Sequence, residues 1–162
     1  MKAAFPLLLL VVISTLSGLY LGGVFTPHPG DGALTQLNVS ADCVGTGNGC
    51  EARGPQGRTI GFSTAANAHP MRPFDVSIRL AGFKEPPARV ELSFRMSDMY
   101  MGDNRYSLSR APDGSWSGRV ILPICTTRRL DWLVDVSLGL ADETVTASFP
   151  LRLGLGEDAK AR

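Results

Sequence analysis

Soft sulfur side chains are concentrated in one short window of this chain. Three of the five methionines in the 162 residues, Met96, Met99 and Met101, fall within a six-residue segment. A cysteine, Cys125, follows at the predicted end of a later strand. Thioether and thiolate sulfurs match copper(I) far better than calcium, magnesium or manganese, because soft donors suit a polarizable monovalent ion. The residue types therefore point to a copper(I) site at Met99, Met101 and Cys125, with Met96 as a further candidate ligand.

Packing is the alternative role for the same sulfurs. Methionine is a flexible side chain that fills irregular gaps in cores, and a buried free cysteine behaves as a small apolar residue. Under this alternative the methionine window and Cys125 bind no metal. His69 and Met71, in Ala-His-Pro-Met-Arg-Pro, form a second candidate ligand pair, for which a proline-rich loop is the simpler explanation.

The other two cysteines predict a structural disulfide. Cys43 and Cys50 are separated by six residues, three of which are glycine. This flexible spacing lets the two sulfurs meet without strain, and an exported location favours oxidation. A redox or metal pair is the alternative, but such pairs typically have Cys-x-x-Cys spacing. The disulfide leaves Cys125 as the odd cysteine.

The N-terminal residues predict export of the rest of the chain. After Met1 and Lys2, residues 3–25 contain no charged side chain, and about 20 apolar residues are enough to span a bilayer. We expect residues 1–25 to form one transmembrane helix whose N-terminus lies in the cytoplasm. A cleaved signal peptide is the alternative, with a small-x-small site at residues 15–17.

A single exported domain is predicted to follow. Residues 26–32 are rich in proline and glycine and predict a linker, residues 33–155 predict one domain, and residues 156–162 predict a polar tail. With Lys2 set aside, 15 basic residues balance 15 acidic ones. The balance argues against a nucleic-acid-binding protein, which needs a basic surface.

Alternation of apolar and polar residues dominates the predicted domain, and no segment in it has a convincing helical period. Short alternating segments separated by turn signals predict an all-β, immunoglobulin-like antiparallel β-sandwich, with a small β-barrel as the alternative. The alternating segments lie at residues 34–40, 59–63, 74–80, 90–95, 105–109, 116–122, 132–138 and 145–153.

Strand parity separates the three methionines of the window. Met96 continues the inward-facing series of the strand at residues 90–95, which predicts a position in the core. Met99 and Met101 share the opposite parity and follow a break at Ser97-Asp98. Because Gly102-Asp103-Asn104 is a predicted turn, we expect these two side chains to project together from an edge of the sandwich.

A predicted hairpin links the methionines to the odd cysteine. Its turn is Asp113-Gly114, within the turn sequence Ala-Pro-Asp-Gly. In an antiparallel hairpin with this centre, residues 102–104 would lie opposite residues 123–125. Met101 and Cys125 would then meet at the open end of the hairpin.

On these residues the chain resembles the YtkA-like and FixH-like family of small bacterial envelope proteins. The resemblance covers roughly residues 74–153. It is carried by Met-x-x-Met-x-Met-Gly at residues 96–102, Gly-Ser-Trp-Ser-Gly at residues 114–118 and the strand containing Trp132. Members of the family are associated with copper supply and with assembly of respiratory oxidases. The loop between Cys43 and Cys50 departs from the general family pattern, and so does Cys125.

The resemblance implies a non-enzymatic accessory protein or metallochaperone, with Met99 and Met101 at the positions of the family's methionines. It implies a single-pass protein of the bacterial inner membrane whose C-terminal domain lies in the periplasm. Its partners would be a copper ion, the membrane, and a respiratory oxidase subunit or assembly factor. A structural or assembly-partner protein that uses its β-sandwich for protein–protein interaction is the alternative.

Residue combinations typical of enzymes are missing from the sequence. The two histidines, His28 and His69, both stand beside prolines, and no metalloprotease, hydrolase or phosphate-binding motif is present. Thiol chemistry at Cys125 is a remaining option, because the nearby Arg128 and Arg129 could favour the thiolate. Solvated loop charges are the simpler explanation of these arginines.

Overall fold

The structure is a computed structural model that describes residues 32–43, 49–124 and 129–154. Within these ranges the fold is all-β, with eleven strands, one short 3-10 turn at Pro55–Gly57 and no α-helix. The absence of α-helices agrees with the alternating pattern of the sequence, because a period of two suits strands and not helices.

Part of the predicted organisation lies outside the described residues. This applies to the transmembrane helix at residues 1–25, to the linker at residues 26–32 apart from Gly32, and to the polar tail at residues 156–162. Among the described ranges, no helix has the length and apolar character needed to cross a bilayer. The membrane anchor therefore stays a prediction.

The strands form two sheets. In chain order the strands are β1 (Ala33–Gln36), β2 (Asn38–Val39), β3 (Cys50–Arg53), β4 (Thr59–Thr64), β5 (Phe74–Ala81), β6 (Arg89–Arg95), β7 (Asn104–Ser107), β8 (Ser109–Arg110), β9 (Trp116–Val120), β10 (Asp131–Gly139) and β11 (Glu143–Arg152). The first sheet has the order β1-β11-β10-β6-β7 and the second the order β2-β3-β4-β5-β9-β8. Pairing is antiparallel throughout both sheets, except that β1 runs parallel to β11.

One apolar core lies between the two sheets. Buried and more exposed side chains alternate along β4, β6, β10 and most of β11, so each strand turns one face inward. Phe62 of the second sheet and Phe149 of the first stack with their ring centroids 5.4 Å apart. The predicted all-β fold with antiparallel sheets is confirmed, and the two packed layers are those of a β-sandwich.

The chain changes sheet within two of the predicted strands. At Leu37, which is 2% exposed, the predicted strand at residues 34–40 divides into β1 and β2. At Leu108, also buried, the segment at residues 105–109 divides between β7 and β8. Both divisions occur at a leucine inserted into the core between the sheets. The short strand β3 was not predicted, because its four residues follow a glycine-rich loop without a longer alternating pattern.

The predicted disulfide between Cys43 and Cys50 is present, with Cα atoms 5.3 Å apart. Cys50 is the first residue of β3 and pairs with Phe62 of β4. Since Cys50 is 7% exposed, the disulfide connects the chain after β2 to the buried face of the second sheet.

The methionine window and the start of β1 lie at opposite ends of the sandwich. β1 begins beside Glu143, the first residue of β11. The window follows β6 at the other end, where β10 begins and β11 finishes. The ten residues of β11 separate the two ends by roughly 33 Å, at about 3.3 Å per residue. The end that carries residues 65–73, 96–103, 121–124 and 129–130 is called the loop end below.

Candidate metal site

The three methionines of the window occupy different environments. Met96 directly follows β6 and is 4% exposed within the apolar core, as its parity predicts. Met99 and Met101 are partly buried and pack against the edge of the core. Tyr100 between them is 87% exposed, so the two methionines turn toward the domain while the tyrosine faces solvent. Both methionines therefore lie at the surface of the core.

The segment at residues 96–103, called the methionine loop below, connects β6 to β7. A cavity of about 480 Å³ lies along residues 93–103, and Met96, Met99 and Met101 all line it. The cavity gives the thioether sulfurs a space in which a small ion could be held without moving the backbone.

The second half of the methionine loop is fixed by Asn104. The side-chain amide of Asn104 donates hydrogen bonds to the backbone oxygens of Met101, at 3.0 Å, and Gly102, at 3.3 Å. Gly102 has a φ of 81°, in the left-handed region that favours glycine. These features define the turn into β7 and fix the backbone at Met101.

The first half of the loop is held by Arg129. Its Nη1 donates to Oδ2 of Asp98 at 2.9 Å, and its Nε donates to Oδ1 of Asp131 at 3.1 Å. The hydrogen bonds that Arg129 donates to Asp131 and Asp98 raise the pKa of Arg129, and the guanidinium in turn lowers the pKa of Asp131. Arg129 thus shares its charge between two carboxylates. It is therefore not a freely solvated loop charge, while Cys125 and Arg128 lie outside the described residues.

The predicted hairpin forms but is short. β8 and β9 pair on either side of the Asp113-Gly114 turn through two residue pairs, Ser109 with Ser117 and Arg110 with Trp116, one residue away from the predicted register. The residues that precede Leu108 in the chain form β7, which belongs to the other sheet and pairs with β6. The expectation that residues 102–104 lie opposite residues 123–125 is therefore wrong. A buried leucine redirects the strand into the other layer before the hairpin can extend that far.

Other contacts join described residues on either side of residues 125–128 to β7 and to the methionine loop. The hydroxyl of Tyr106 donates to the backbone oxygen of Ile121 and accepts from the N–H of the same residue at 3.2 Å. Further along the chain, Arg129 donates to Asp98 of the methionine loop. Cys125 lies in the chain between Ile124 and Arg129 but outside the described residues. Its role as a ligand stays a prediction.

His69 and Met71, the second candidate ligand pair, make hydrogen bonds that hold their own loop in place. Nδ1 of His69 donates to the backbone oxygen of Gly154 at 2.9 Å, and the N–H of Gly154 donates to the oxygen of Ala68 at 3.1 Å. Met71 is 64% exposed, and its N–H donates to the oxygen of Leu122 at 2.8 Å. These bonds attach residues 65–73 to the end of β11 and to the chain after β9, which supports the structural explanation of His69.

No protein-family model, curated protein or solved structure matches this chain. Among the described residues, no group of three or more histidine, cysteine, aspartate or glutamate side chains could hold a metal ion. Thioether sulfur suits copper(I) better than it suits harder ions. Met99 and Met101, two residues apart and both lining the cavity, fit copper(I) by the chemistry of their donors.

Three residues that shape the loop end were not found from the sequence. From the sequence, Arg129 was considered only as a neighbour of Cys125. Its partner Asp98 is 31 residues away in the chain, so no local pattern indicated the pair. Tyr106 lies in the predicted strand at residues 105–109, but its bond to Ile121, which links the two sheets, had no sequence signal. Asn104 offered a signal, since asparagine after Gly-Asp is typical of a turn that bonds its own backbone.

Proposed function

We propose that this protein is a copper(I)-binding accessory protein or metallochaperone that serves respiratory oxidase assembly. In this proposal it is not an enzyme. The supporting observation is the pair of partly buried thioethers, Met99 and Met101, that line one cavity at the loop end. Cys125 is proposed as the third ligand. Met96 could contribute from the inner wall of the cavity, at the expense of its packing in the core.

The burial of the two thioethers suits reversible binding. A side chain that packs against the core is held in place, so that less conformational entropy is lost when it binds an ion. Met99 and Met101 also keep part of their surface in solvent, which leaves a route for a copper ion to enter and leave. A protein that delivers copper needs both properties.

The proposal includes the finer class of the fold. The facing sets β11-β10-β6-β7 and β4-β5-β9-β8 have the order of the G-F-C-C′ and A-B-E-D strands of immunoglobulin-like sandwiches. This order supports an immunoglobulin-like domain and is compatible with the resemblance to YtkA-like and FixH-like proteins, which remains part of the same proposal.

The proposed location is the bacterial inner membrane, with residues 1–25 as a single-pass anchor and the sandwich in the periplasm. The disulfide between Cys43 and Cys50 supports an oxidising compartment. Because β1 begins at the end opposite the methionine loop, an anchor that precedes β1 would leave the loop end turned away from the bilayer. There it could reach a periplasmic domain of an oxidase subunit or assembly factor.

Competitive titration of the full-length chain with copper(I) under reducing conditions tests the function. We expect one ion to bind with submicromolar affinity, and binding to be lost in the double variant Met99→Leu/Met101→Leu. Leucine keeps the volume of methionine at a cost below about 1.5 kcal/mol, so the variant removes sulfur without unfolding the domain. Met71→Leu, at an exposed methionine outside the methionine loop, is the matched control and should retain the affinity of the wild type. A wild-type protein that binds no copper(I) contradicts the proposal.

A second candidate function is supported by the apolar surface of the loop end. Four of the five large, exposed hydrophobic side chains among the described residues lie there, namely Met71, Tyr100, Ile121 and Ile124. Clusters of this kind mark protein interaction sites. Under this alternative, the domain is an assembly partner of an oxidase subunit, and its sulfurs serve packing.

Variants of the loop end distinguish the two functions. Copper-independent association with an oxidase subunit, lost in Tyr100→Ser but kept in Met99→Leu/Met101→Leu, would support the assembly partner. Association that requires copper and both methionines would support the metallochaperone.

A further inference from the structure

Arg129 connects two parts of the chain that no strand pairing joins at this point. Its Nη1 lies 2.9 Å from Oδ2 of Asp98 in the methionine loop, while its Nε and Nη2 both donate to the carboxylate of Asp131 at the start of β10. A guanidinium that binds one carboxylate through two nitrogens has a defined plane. Asp131 therefore orients Arg129, and the remaining nitrogen is aimed at Asp98.

We infer that Arg129 is a positioning residue, which holds the methionine loop in the arrangement where Met99 and Met101 line the cavity. The consequence for copper affinity rests on the proposed copper(I) function. The order imposed on the loop does not, because it follows from the contacts of the chain itself.

The two thioethers lie between fixed points of the loop. Met96 anchors the first residue in the core, Arg129 holds Asp98, and Asn104 holds the backbone at Met101. Met99 directly follows Asp98, so the bond to Arg129 is next to the first thioether. Without it, the loop loses one of the contacts that fix its backbone and gains conformations in which its sulfurs diverge.

A neighbouring ion pair provides the contrast. Arg119 donates to Asp75 at 3.2 Å, and these two residues already face each other in the paired strands β9 and β5. Their ion pair adds nothing to the position of a loop. The Arg119 side chain is 71% exposed against 38% for Arg129. Arg119→Gln therefore removes an exposed ion pair of the same type without releasing any segment.

The effect on binding should be moderate. Exposed ion pairs contribute little, so Arg129→Gln should weaken copper(I) binding roughly two- to fivefold without changing the number of ions bound. Raising the salt concentration should also weaken copper(I) binding by the wild type, because salt screens the ion pair between Arg129 and Asp98. The variant should respond less to salt, since its pair is already absent.

The test combines two measurements on the full-length chain with Arg129→Gln and Arg119→Gln. Amide hydrogen exchange without copper reports the order of the loop, and competitive titration reports copper(I) affinity. We expect faster exchange at residues 98–101 and weaker binding in Arg129→Gln, with an unchanged melting temperature, and neither effect in Arg119→Gln. A merely structural role would lower the melting temperature and leave exchange in the loop proportionate to that of the whole domain.

The outcomes separate the two proposals. Exchange in Arg129→Gln equal to that of the wild type overturns the positioning role, whatever the copper result. Faster exchange with unchanged affinity overturns its relevance to binding. If the wild type binds no copper(I), the proposed function fails, while faster exchange confined to residues 98–101 still supports the hold of Arg129 on the loop.

Discussion

Replacing Met96 by alanine should destabilise the domain much more than the same change at Met99 or Met101. Met96 is 4% exposed and belongs to the core, whereas the other two pack only against its edge. Truncating a buried methionine removes apolar contacts and leaves a cavity, at a cost of about 2–5 kcal/mol. Met96 also borders an existing cavity, where neighbours can relax, so we expect about 2–3 kcal/mol. For Met99→Ala and Met101→Ala we expect about 1 kcal/mol each.

Guanidinium and thermal unfolding measure the difference. For a domain of about 120 residues, 1 kcal/mol shifts the melting temperature by about 4 °C, so Met96→Ala should lower it by about 8–12 °C. The slope of the free energy of unfolding against denaturant concentration should stay unchanged, because the surface area exposed on unfolding hardly differs. Met96→Leu is the control for volume and should cost less than about 1.5 kcal/mol.

Two results would refute the parity argument. A cost for Met96→Ala below about 1 kcal/mol would mean that its side chain is not part of the core. An equal cost for Met99→Ala would mean that the window is packed uniformly. In either case the division of the window into one core residue and two partly buried residues at its edge would be wrong, and the ligand set would have to be reconsidered.

Three further predictions concern features away from the sulfurs of the loop. Replacing both Cys43 and Cys50 by serine should lower the free energy of unfolding in urea by about 2–3 kcal/mol, as expected for cysteines seven residues apart, and an unchanged value would show that the disulfide does not stabilise the fold. Gly82→Ala should cost at least about 1 kcal/mol, because φ is 76° and the new Cβ would meet backbone of the neighbouring loop; a neutral result in thermal unfolding would contradict this geometry. Hydrogen bonds from Ser115 hold the pKa of Asp113 below its usual value. The stability that this carboxylate contributes is therefore present above the pKa of the unfolded chain, and it is lost as the pH falls through the lower pKa of the folded state. In an NMR titration Ser115→Ala should raise the pKa of Asp113, and no change would exclude the hydroxyl as a cause.

Most strands of this fold were predictable, because one face of each strand is buried and the other is not. Alternation is local, so it locates strands without an alignment. It does not tell which sheet a strand joins. The division at Leu37 and Leu108, the parallel pairing of β1 with β11 and the short strand β3 all depend on contacts between distant parts of the chain.

The candidate site was predictable to the same extent. Parity placed Met96 in the core and Met99 and Met101 at an edge, and the structure agrees. The turn at Asp113-Gly114 was predicted correctly, but the hairpin is shorter than predicted, because the position of a turn does not show where a strand leaves its sheet. The contact between Asp98 and Arg129 had no local signal, because the two residues belong to different loops.

The methyl groups of the five methionines offer the most direct test of the central claim, that a soft thioether site lies at the loop end. NMR of the full-length chain with isotope-labelled methionine methyl groups, titrated with copper(I) under reducing conditions, observes each thioether separately. We predict that the signals of Met99 and Met101 shift together and stop changing at one equivalent of copper(I), while that of the exposed Met71 stays in place. Signals of Met99 and Met101 that do not move, or that move no more than that of Met71, would contradict the claim.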